Sequence, residues 1–224
     1  MIDKRVASLA EAMAGINDGA VVLVGGFGDV GHPMALIDAL LELGRRDLTI
    51  VCNNAGRGEI GLPRLMQAGQ LRKLVCTFPR TSEICSQLFA AGKLEVEIVP
   101  QGTLAERMRA AGAGIGGFFT RTGARTLLAQ GKEERIINGE PYIFETPLRG
   151  DVALIEAWTA DRWGNLIYRQ SGRNFNPVMA AAATLTIAQV AEFAPCPLDP
   201  ERVVTPGIYV SRVVLAAPSV GGVA

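Results

Sequence analysis

The apolar positions of this 224-residue chain follow two different periods. In the first half, short apolar or β-branched runs alternate with segments whose apolar residues recur every three or four positions, a pattern typical of strands alternating with helices. This order predicts an α/β fold with a mostly parallel sheet flanked by helices. The predicted strands are one ending at Val24 and those over residues 48–52, 73–77 and 94–99, and the predicted helices cover residues 34–43, 63–68, 82–91 and 103–111.

The two ends of this pattern carry further signals. Val6, Leu9 and Met13 follow helical spacing, so the chain is expected to open with a helix packed on the sheet. Gly44 and Gly92 stand directly after predicted helices, where a glycine commonly ends a helix.

The second half of the chain is richer in β signals. Asn138-Gly139 lies between two β-like runs, which predicts a hairpin inside a small β-rich insertion near residues 120–150. Further strands are expected over residues 151–157, 166–168, 185–190 and 208–214, and a helix over 176–183. Residues 1–216 are interpreted as one domain, and residues 217–224 as a loose tail.

Composition narrows the function. Hydrophobic residues make up 49% of the chain and charged residues 20%, which fits a folded globular protein. The 22 basic and 22 acidic residues cancel, so nothing favours nucleic acid or an anionic membrane, and a cytoplasmic location is expected. The four cysteines form no metal-binding pair and are interpreted as reduced thiols, and with one histidine no metal site is expected.

A glycine-rich segment follows the first buried strand and precedes the predicted helix over residues 34–43. Glycine permits close backbone approach and positive φ, so amides can converge on an anion at a helix amino end. A strand-to-helix turn without a ligand is the alternative, and Asp29 or His32 could simply cap the helix. The candidate binding residues are Gly25, Gly26, Phe27, Gly28, Asp29, Val30 and Gly31.

Side-chain amides end two other predicted strands. Asn53 and Asn54 could donate hydrogen bonds to a carbonyl or carboxylate, although Asx turns explain the same residues. Gln101, followed by Gly102, could direct an N–H group at an oxyanion. Thr103 and Glu106 are interpreted as a capping box, and Arg107 and Arg109 as a solvated helix face.

Taken together, these segments resemble the A subunits of the family I CoA-transferases. The glycine segment, with its Gly25-Gly26-Phe27-Gly28 run, carries the most specific similarity. The other similar blocks lie at residues 53–56, 100–107, 112–116, 163–166 and 173–177, in the family's order, so that the resemblance spans roughly residues 3 to 214. It implies the CoA-transferase fold, which is related to that of the NagB and RpiA isomerases.

The resemblance also implies a chemistry and a partner. In this family a glutamate attacks the acyl-CoA and forms a mixed anhydride and then a glutamyl-CoA thioester, in a ping-pong reaction. That glutamate belongs to the B half, and Glu42, Glu59, Glu83 and Glu106 lack its sequence setting. The chain is therefore expected to form an A2B2 heterotetramer with a separate B subunit. Coenzyme A thioester is then a substrate, with no permanently bound cofactor.

Residues 58–62 and 75–80 are most similar to the members that act on 3-oxoadipate with succinyl-CoA as donor. Glu59 and Arg80 would then recognise the acceptor, because an arginine fork binds a carboxylate in a bidentate manner. Arg121 and Arg125 depart from the family pattern. Another short-chain 3-oxoacid such as acetoacetate, a sugar-phosphate isomerase and a ligand-sensing domain are the alternatives.

Overall fold

The computed structural model describes residues 2–217. Its strands, in chain order, are β1 (Arg5–Val6), β2 (Val21–Val24), β3 (Leu48–Asn54), β4 (Leu71–Phe78), β5 (Glu95–Ile98), β6 (Phe118–Thr120), β7 (Glu134–Ile137), β8 (Glu140–Glu145), β9 (Gly150–Ala160), β10 (Leu166–Ile167), β11 (Ala183–Phe193) and β12 (Arg212–Leu215). Its α-helices are α1 (Leu9–Ala12), α2 (Met34–Leu43), α3 (Leu62–Gln67), α4 (Glu83–Ala90), α5 (Gln101–Gly112) and α6 (Asn176–Ala182). No helix within residues 2–217 is both long and apolar enough to span a membrane.

The expected mostly parallel sheet is confirmed. Its strand order is β1-β12-β11-β9-β2-β3-β4-β5, every neighbouring pair is parallel, and β10 pairs antiparallel with β9. Because β2, β3, β4 and β5 are adjacent and parallel, the segments that follow them all leave from one edge of the sheet.

Both faces of the sheet are covered because successive strand residues point to opposite sides. In β2, Val22 and Val24 pack into the core shared with α1 to α4, whereas Leu23 packs into the core shared with α5 and α6. Leu36 and Leu40 of α2 are fully buried, and burying one such side chain contributes about 2 kcal/mol. The apolar runs of the strands therefore follow from burial on two faces.

Helix α2 has the predicted bounds, and Gly44 ends it in the left-handed conformation with φ 68°. Neither Asp29 nor His32 caps its amino end, so that alternative is wrong. The side chain of buried Gln189 caps it instead: Oε1 accepts hydrogen bonds from the amides of Ala35 at 3.0 Å and Leu36 at 3.3 Å. This cap comes from β11, about 150 residues further along the chain.

The expected elements at the two ends of the chain need correction. The chain opens with β1, which contains Val6 and pairs with β12, and only then forms the short helix α1. The expected strand over residues 208–214 begins instead with a 3₁₀ turn at Gly207–Tyr209. Of the expected loose tail, residues 218–224 lie outside the described part of the chain.

The capping box expected at Thr103 and Glu106 is also wrong, because α5 begins two residues earlier. Pro100 stands at its N-cap, and the Glu106 carboxylate is bonded to Arg109. Arg107 does not lie on a solvated face either. Its side chain is 12% exposed and its Nη1 donates to Glu97 at 2.9 Å.

The insertion forms a separate antiparallel sheet of strands β6, β8 and β7, which we call the small sheet. The predicted hairpin is confirmed: Asn138 and Gly139 link β7 to β8 with φ values of 53° and 80°. Glu145, at the end of β8, is only 2% exposed, and its Oε1 accepts a hydrogen bond from Lys132 Nζ at 2.5 Å. Arg107 Nε lies 3.9 Å from the same carboxylate and donates to the carbonyl of Thr146 at 2.8 Å.

All four cysteines are free, as expected. Cys52 and Cys76 face each other across β3 and β4, Cys85 lies nearby on α4, and all three are buried, whereas Cys196 is exposed. The contact with Cys76, together with burial, raises the pKa of Cys52 well above its usual value, and burial raises the pKa of Cys85 to about 11.

Candidate functional site

The glycine segment, the asparagine pair and Gln101 meet at one edge of the sheet. Asn54 Nδ2 donates to the carbonyl of Gly28 at 3.1 Å, and Asn53 Nδ2 lies 3.4 Å from Gln101 Oε1. The segment after β2, the end of β3 and the start of α5 therefore form one cluster. Parallel pairing of β2 with β3 brings the glycines beside the asparagines.

Residues 25–31, which we call the glycine loop, form a tight turn. Phe27 and Val30 exchange two backbone hydrogen bonds of 3.0 and 3.1 Å, which leaves Gly28 and Asp29 at the tip. Gly28 has φ 61°, a backbone conformation in which a residue with a side chain would be strained. The tip is exposed.

The amides at the base of the loop are already bonded inside the protein. The N–H group of Gly25 donates to the carbonyl of Leu154 in β9 at 2.9 Å, and that of Gly26 donates to Asn174 Oδ1 at 3.2 Å. Both glycines are buried. These amides cannot contact a substrate, so the candidate binding surface is narrower than the sequence suggested.

Within residues 2–217, the loop amides without a hydrogen-bond partner are those of Gly28, Asp29 and Gly31. Gly31 is buried, whereas Gly28 and Asp29 are exposed. The two tip amides are consequently the loop donors that a ligand can reach.

The structure also changes the interpretation of the glycines. A Cβ atom on Gly25 would lie 1.8 Å from Asn176 Oδ1, and one on Gly26 would lie 2.2 Å from His32 Nδ1. At these two positions glycine makes room for side chains of the protein itself and not for a ligand. A Cβ on Gly28 would meet nothing within 4 Å.

Asn174 and Asn176, on the segment that leads into α6, hold the loop from behind, and the sequence interpretation missed this role. Asn174 Nδ2 donates to the carbonyl of Val30 at 3.1 Å, and Asn176 Nδ2 donates to that of Gly31 at 3.1 Å. Both residues lie in the 173–177 block, for which the sequence indicated a family similarity but no role. A signal existed, because asparagine side chains commonly bond backbone groups in turns.

Two amide side chains of the cluster, those of Asn54 and Gln101, differ in how much of their hydrogen-bonding capacity is already used. Asn54 is buried and fully engaged: Nδ2 donates to Gly28 and Asn53, and Oδ1 accepts from the amide of Gly56 at 2.9 Å, which is an Asx turn. Gln101 is exposed, and because its Oε1 faces Asn53, its Nε2 is free to donate outward. The first amides of α5 lie beside it, where the helix dipole favours negative charge.

His32, the single histidine, supports the loop from below. Its Nε2 lies 2.9 Å from the carbonyl of Gly28, so this nitrogen carries the proton and donates. Burial lowers the pKa of His32, against the weaker opposing effect of this hydrogen bond and of Asp29. The ring is thus kept neutral at neutral pH.

A cleft of about 400 Å³ opens beside the loop tip. Its walls are largely apolar and its rim carries Arg57, whose Nη1 lies 3.5 Å from Asp29 Oδ2. The apolar wall is formed by Met34, Ile37, Ile60 and Leu62.

The remaining candidates form no hydrogen bond with the cluster residues within the described chain. Glu59 is exposed in the segment between β3 and α3, and Arg80 is exposed in the 3₁₀ turn that follows β4. Neither side chain has a hydrogen bond or ion pair with another residue of the described chain. Arg121 pairs with Glu140 at 3.2 Å, and Arg125 is exposed in a left-handed conformation with φ 61°.

The fold and this edge define a class of protein. A parallel sheet whose strand ends carry a glycine turn, an asparagine pair and a glutamine at a helix start matches the similarity found in the sequence. The chain belongs to the Coenzyme A transferase family, whose model matches residues 6–216.

Individual relatives sharpen this assignment. The A subunit of a 3-oxoadipate CoA-transferase from Pseudomonas putida is 56% identical over 217 residues, covering 96% of this chain and 94% of its own length. The A subunit of a probable succinyl-CoA:3-ketoacid coenzyme A transferase from Bacillus subtilis is 46% identical over 215 residues, covering 96% and 90%.

Among solved structures, an acyl-CoA transferase from Escherichia coli O157:H7 in a thioester complex with CoA has a TM-score of 0.87 and 24% identity. It is matched by 100% of this chain, which spans 49% of that protein's length. This likeness establishes the common fold.

Proposed function

We propose that this chain is the A subunit of a CoA-transferase that moves CoA from succinyl-CoA to 3-oxoadipate, together with a separate B subunit. The names of both relatives support a separate partner, and the 56% identity favours 3-oxoadipate over acetoacetate as acceptor. A cytoplasmic A2B2 heterotetramer is the assembly that we propose.

The observation that carries this proposal is the contact between Asn53 and exposed Gln101 beside the loop tip. We propose that Gln101 Nε2 and the amides of Gly28 and Asp29 converge on one substrate oxygen, since Asn53 bonds Oε1 of Gln101 and Asn54 bonds the Gly28 carbonyl. Donors that converge in this way stabilise an oxyanion. The carboxylate of Asp29 is paired with Arg57, and we assign it no role as a nucleophile.

The proposed reaction begins when a glutamate from the partner B chain attacks the succinyl-CoA carbonyl. The carbonyl oxygen becomes an oxyanion that Gln101 and the tip amides hold, and the CoA thiolate leaves as the mixed anhydride forms. The thiolate then attacks the glutamyl carbonyl, which releases succinate and leaves a glutamyl-CoA thioester. The carboxylate of 3-oxoadipate reverses these steps and departs as its CoA thioester.

Acceptor recognition is proposed to lie at Arg80 and Glu59, with Arg80 binding the second carboxylate that 3-oxoadipate carries and acetoacetate lacks. Arg57 at the rim of the cleft is a further cation that the sequence interpretation did not consider. Comparing Arg80→Leu with Arg57→Leu, by the ratio of kcat/KM for 3-oxoadipate to that for acetoacetate, identifies which cation discriminates.

The test is co-expression with a B-type chain, followed by assay of CoA transfer from succinyl-CoA to 3-oxoadipate and to acetoacetate. Activity only in the mixture, with 3-oxoadipate preferred, is the expected result. A preference for acetoacetate would replace the acceptor. Turnover by this chain alone would overturn the division of roles, as would an inactive mixture.

Gln101→Ala in the assembled enzyme is expected to lower kcat by about 10² to 10³-fold, the usual loss when one oxyanion donor is removed. The matched control is Gln87→Ala, since Gln87 is an exposed glutamine on α4 whose Nε2 donates to Glu83 at 3.1 Å. An unchanged kcat for Gln101→Ala would remove this residue from the site.

A further inference from the structure

We infer that Asn174 and Asn176 are positioning residues that set the place of the loop tip relative to Gln101. The kinetic test of this inference rests on the proposed function, whereas the hydrogen bonds from which it is argued are independent of that function. Neither side chain is proposed to contact the substrate. Both act on the backbone of the glycine loop.

Asn174 joins the two limbs of the turn. Its Oδ1 accepts from the amide of Gly26 at 3.2 Å on the incoming limb, and its Nδ2 donates to the carbonyl of Val30 at 3.1 Å on the outgoing limb. Oδ1 also accepts from the amide of Phe175. A side chain fixed at both ends in this way holds the limbs at a constant separation.

Asn176 ties the outgoing limb to the main sheet. It is fully buried, its Nδ2 donates to the carbonyl of Gly31 at 3.1 Å, and its Oδ1 accepts from the amide of Glu156 in β9 at 3.0 Å. Since β9 is the neighbour of β2, the loop is anchored to the strand beside the one from which it emerges.

Within residues 2–217, neither Asn174 nor Asn176 bonds the tip residues Gly28 and Asp29 directly. Gly28 and Asp29 are placed by their own turn and by contacts of the Gly28 carbonyl with Asn54 and His32. If the base shifts, the two tip amides shift with it. A displacement of about 1 Å at a site of this kind can cost about 10²-fold in rate.

Gly25 supplies a specific test because its own conformation tolerates a side chain, whereas its surroundings do not. The Cβ of Gly25→Ala would lie 1.8 Å from Asn176 Oδ1, so this substitution must push Asn176 away from the loop. Asn176→Ala removes the obstacle. The two substitutions should therefore not add.

The experiment is a double-mutant cycle in the assembled A and B enzyme, with kcat and KM measured well below the thermal unfolding midpoint of each variant. Gly25→Ala and Asn176→Ala are each expected to lower kcat about ten- to a hundredfold with KM changed less than threefold, and the double variant is expected to be no slower than the worse single one. Multiplicative losses, or an unchanged kcat in Asn176→Ala, would overturn the inference.

Asn174→Ala is the second variant, because Asn174 is only half-buried and its loss is less of a threat to folding. The matched control is Asn165→Ala, since Asn165 also bonds backbone and side-chain groups but at a different turn, near Gly207. The control is expected to lower the urea midpoint without changing kcat. If Asn174→Ala behaves in the same way, its role is structural only.

A readout independent of activity separates this inference from the proposed function. In amide spectra of the purified chain, Asn174→Ala should move the signals of Gly28 and Asp29, and Asn165→Ala should not. An inactive wild-type mixture with these shifts present would refute the proposed function alone. Unmoved tip signals would refute the positioning role.

Discussion

The glycine loop and the small sheet are both attached to the rest of the domain through side chains, but of different kinds. Asn174 and Asn176 hold the loop with neutral amides that donate and accept at once. The contact of the small sheet is charged: its Glu145 lies 3.9 Å from Arg107 of α5 and is bonded within the insertion by Lys132.

This difference matches what each attachment has to do. A neutral amide pair gives directional bonds and needs no desolvation of a full charge, so it fixes the backbone position at a small energetic cost. A buried ion pair contributes little net stability, yet removing one partner leaves an uncompensated charge. We therefore expect substitutions at the loop attachment to lower the catalytic rate, and substitutions at the contact of the small sheet to lower the free energy of unfolding.

The largest expected effect comes from breaking the charged attachment. Arg107→Met removes the hydrogen bonds that this half-buried side chain donates to Glu97 and to the carbonyl of Thr146, and it leaves buried Glu145 with Lys132 alone, so we expect the free energy of unfolding to fall by about 2 kcal/mol. Urea denaturation followed by circular dichroism measures this change.

Arg109→Met is the control for this substitution, since Arg109 forms an exposed pair with Glu106 on the same helix and its loss should change the free energy of unfolding far less. Adding Glu145→Leu to Arg107→Met should restore part of the loss. Equal effects of the two arginine substitutions would show that the small sheet is not held by its charges.

An intermediate effect should appear on changing pH, in two separate windows. The pKa of His32 is lowered by burial, so the unfolded chain binds the proton more readily and stability falls as pH drops below about 6.5. Burial acts to raise the pKa of Glu97, but hydrogen bonds from Lys73 and Arg107 outweigh burial and lower it. The ionised Glu97 therefore stabilises the folded chain, and this stabilisation is lost only as pH falls below 4.5.

Urea midpoints between pH 5 and 8, for the wild type and His32→Gln, test the first window. The wild type should lose stability toward pH 5, and the variant should show a flatter profile. Parallel profiles would mean that protonation of His32 does not affect folding.

The smallest expected effect is that of salt. Lys73 bonds Glu95 at 2.9 Å and Glu97 at 2.8 Å, both at a partly exposed edge of the sheet. Screening should weaken these pairs by about 0.5 kcal/mol, so the wild type should lose more stability in about 0.5 M sodium chloride than Lys73→Met does. Identical salt responses would contradict this.

Much of the fold could be predicted because its signals are local. Pro33 and Gly44 mark the ends of α2, and Asn138-Gly139 marks the hairpin, so each is decided by a few neighbouring residues. The parallel arrangement of the sheet followed from the alternation of strand and helix patterns in the first half of the chain.

What sequence reasoning missed depends on contacts between distant segments. The two residues of β1 are a strand only because β12 lies beside them, and α2 is capped by Gln189 from another strand. Arg107 was assigned to a solvated face because nothing near it in sequence shows that Glu145 will cover it.

The same limit applied to the candidate site. Gly25 and Gly26 were interpreted as space for a ligand, since the sequence does not show that Asn176 and His32 occupy that space. The position of Gln101 at a strand-to-helix junction was predictable, and its contact with Asn53 reaches across β4, since the parallel order β3-β4-β5 brings the ends of these strands to one edge.

The distribution of the cysteines makes this chain convenient for chemical labelling. In the folded protein a maleimide should attach to Cys196 and leave Cys52, Cys76 and Cys85 untouched, since these three are buried. The raised pKa values of Cys52 and Cys85 further reduce their reactive thiolate. One dye per molecule then reports a folded chain and four report an unfolded one, so mass spectrometry can count unfolding events without any substitution.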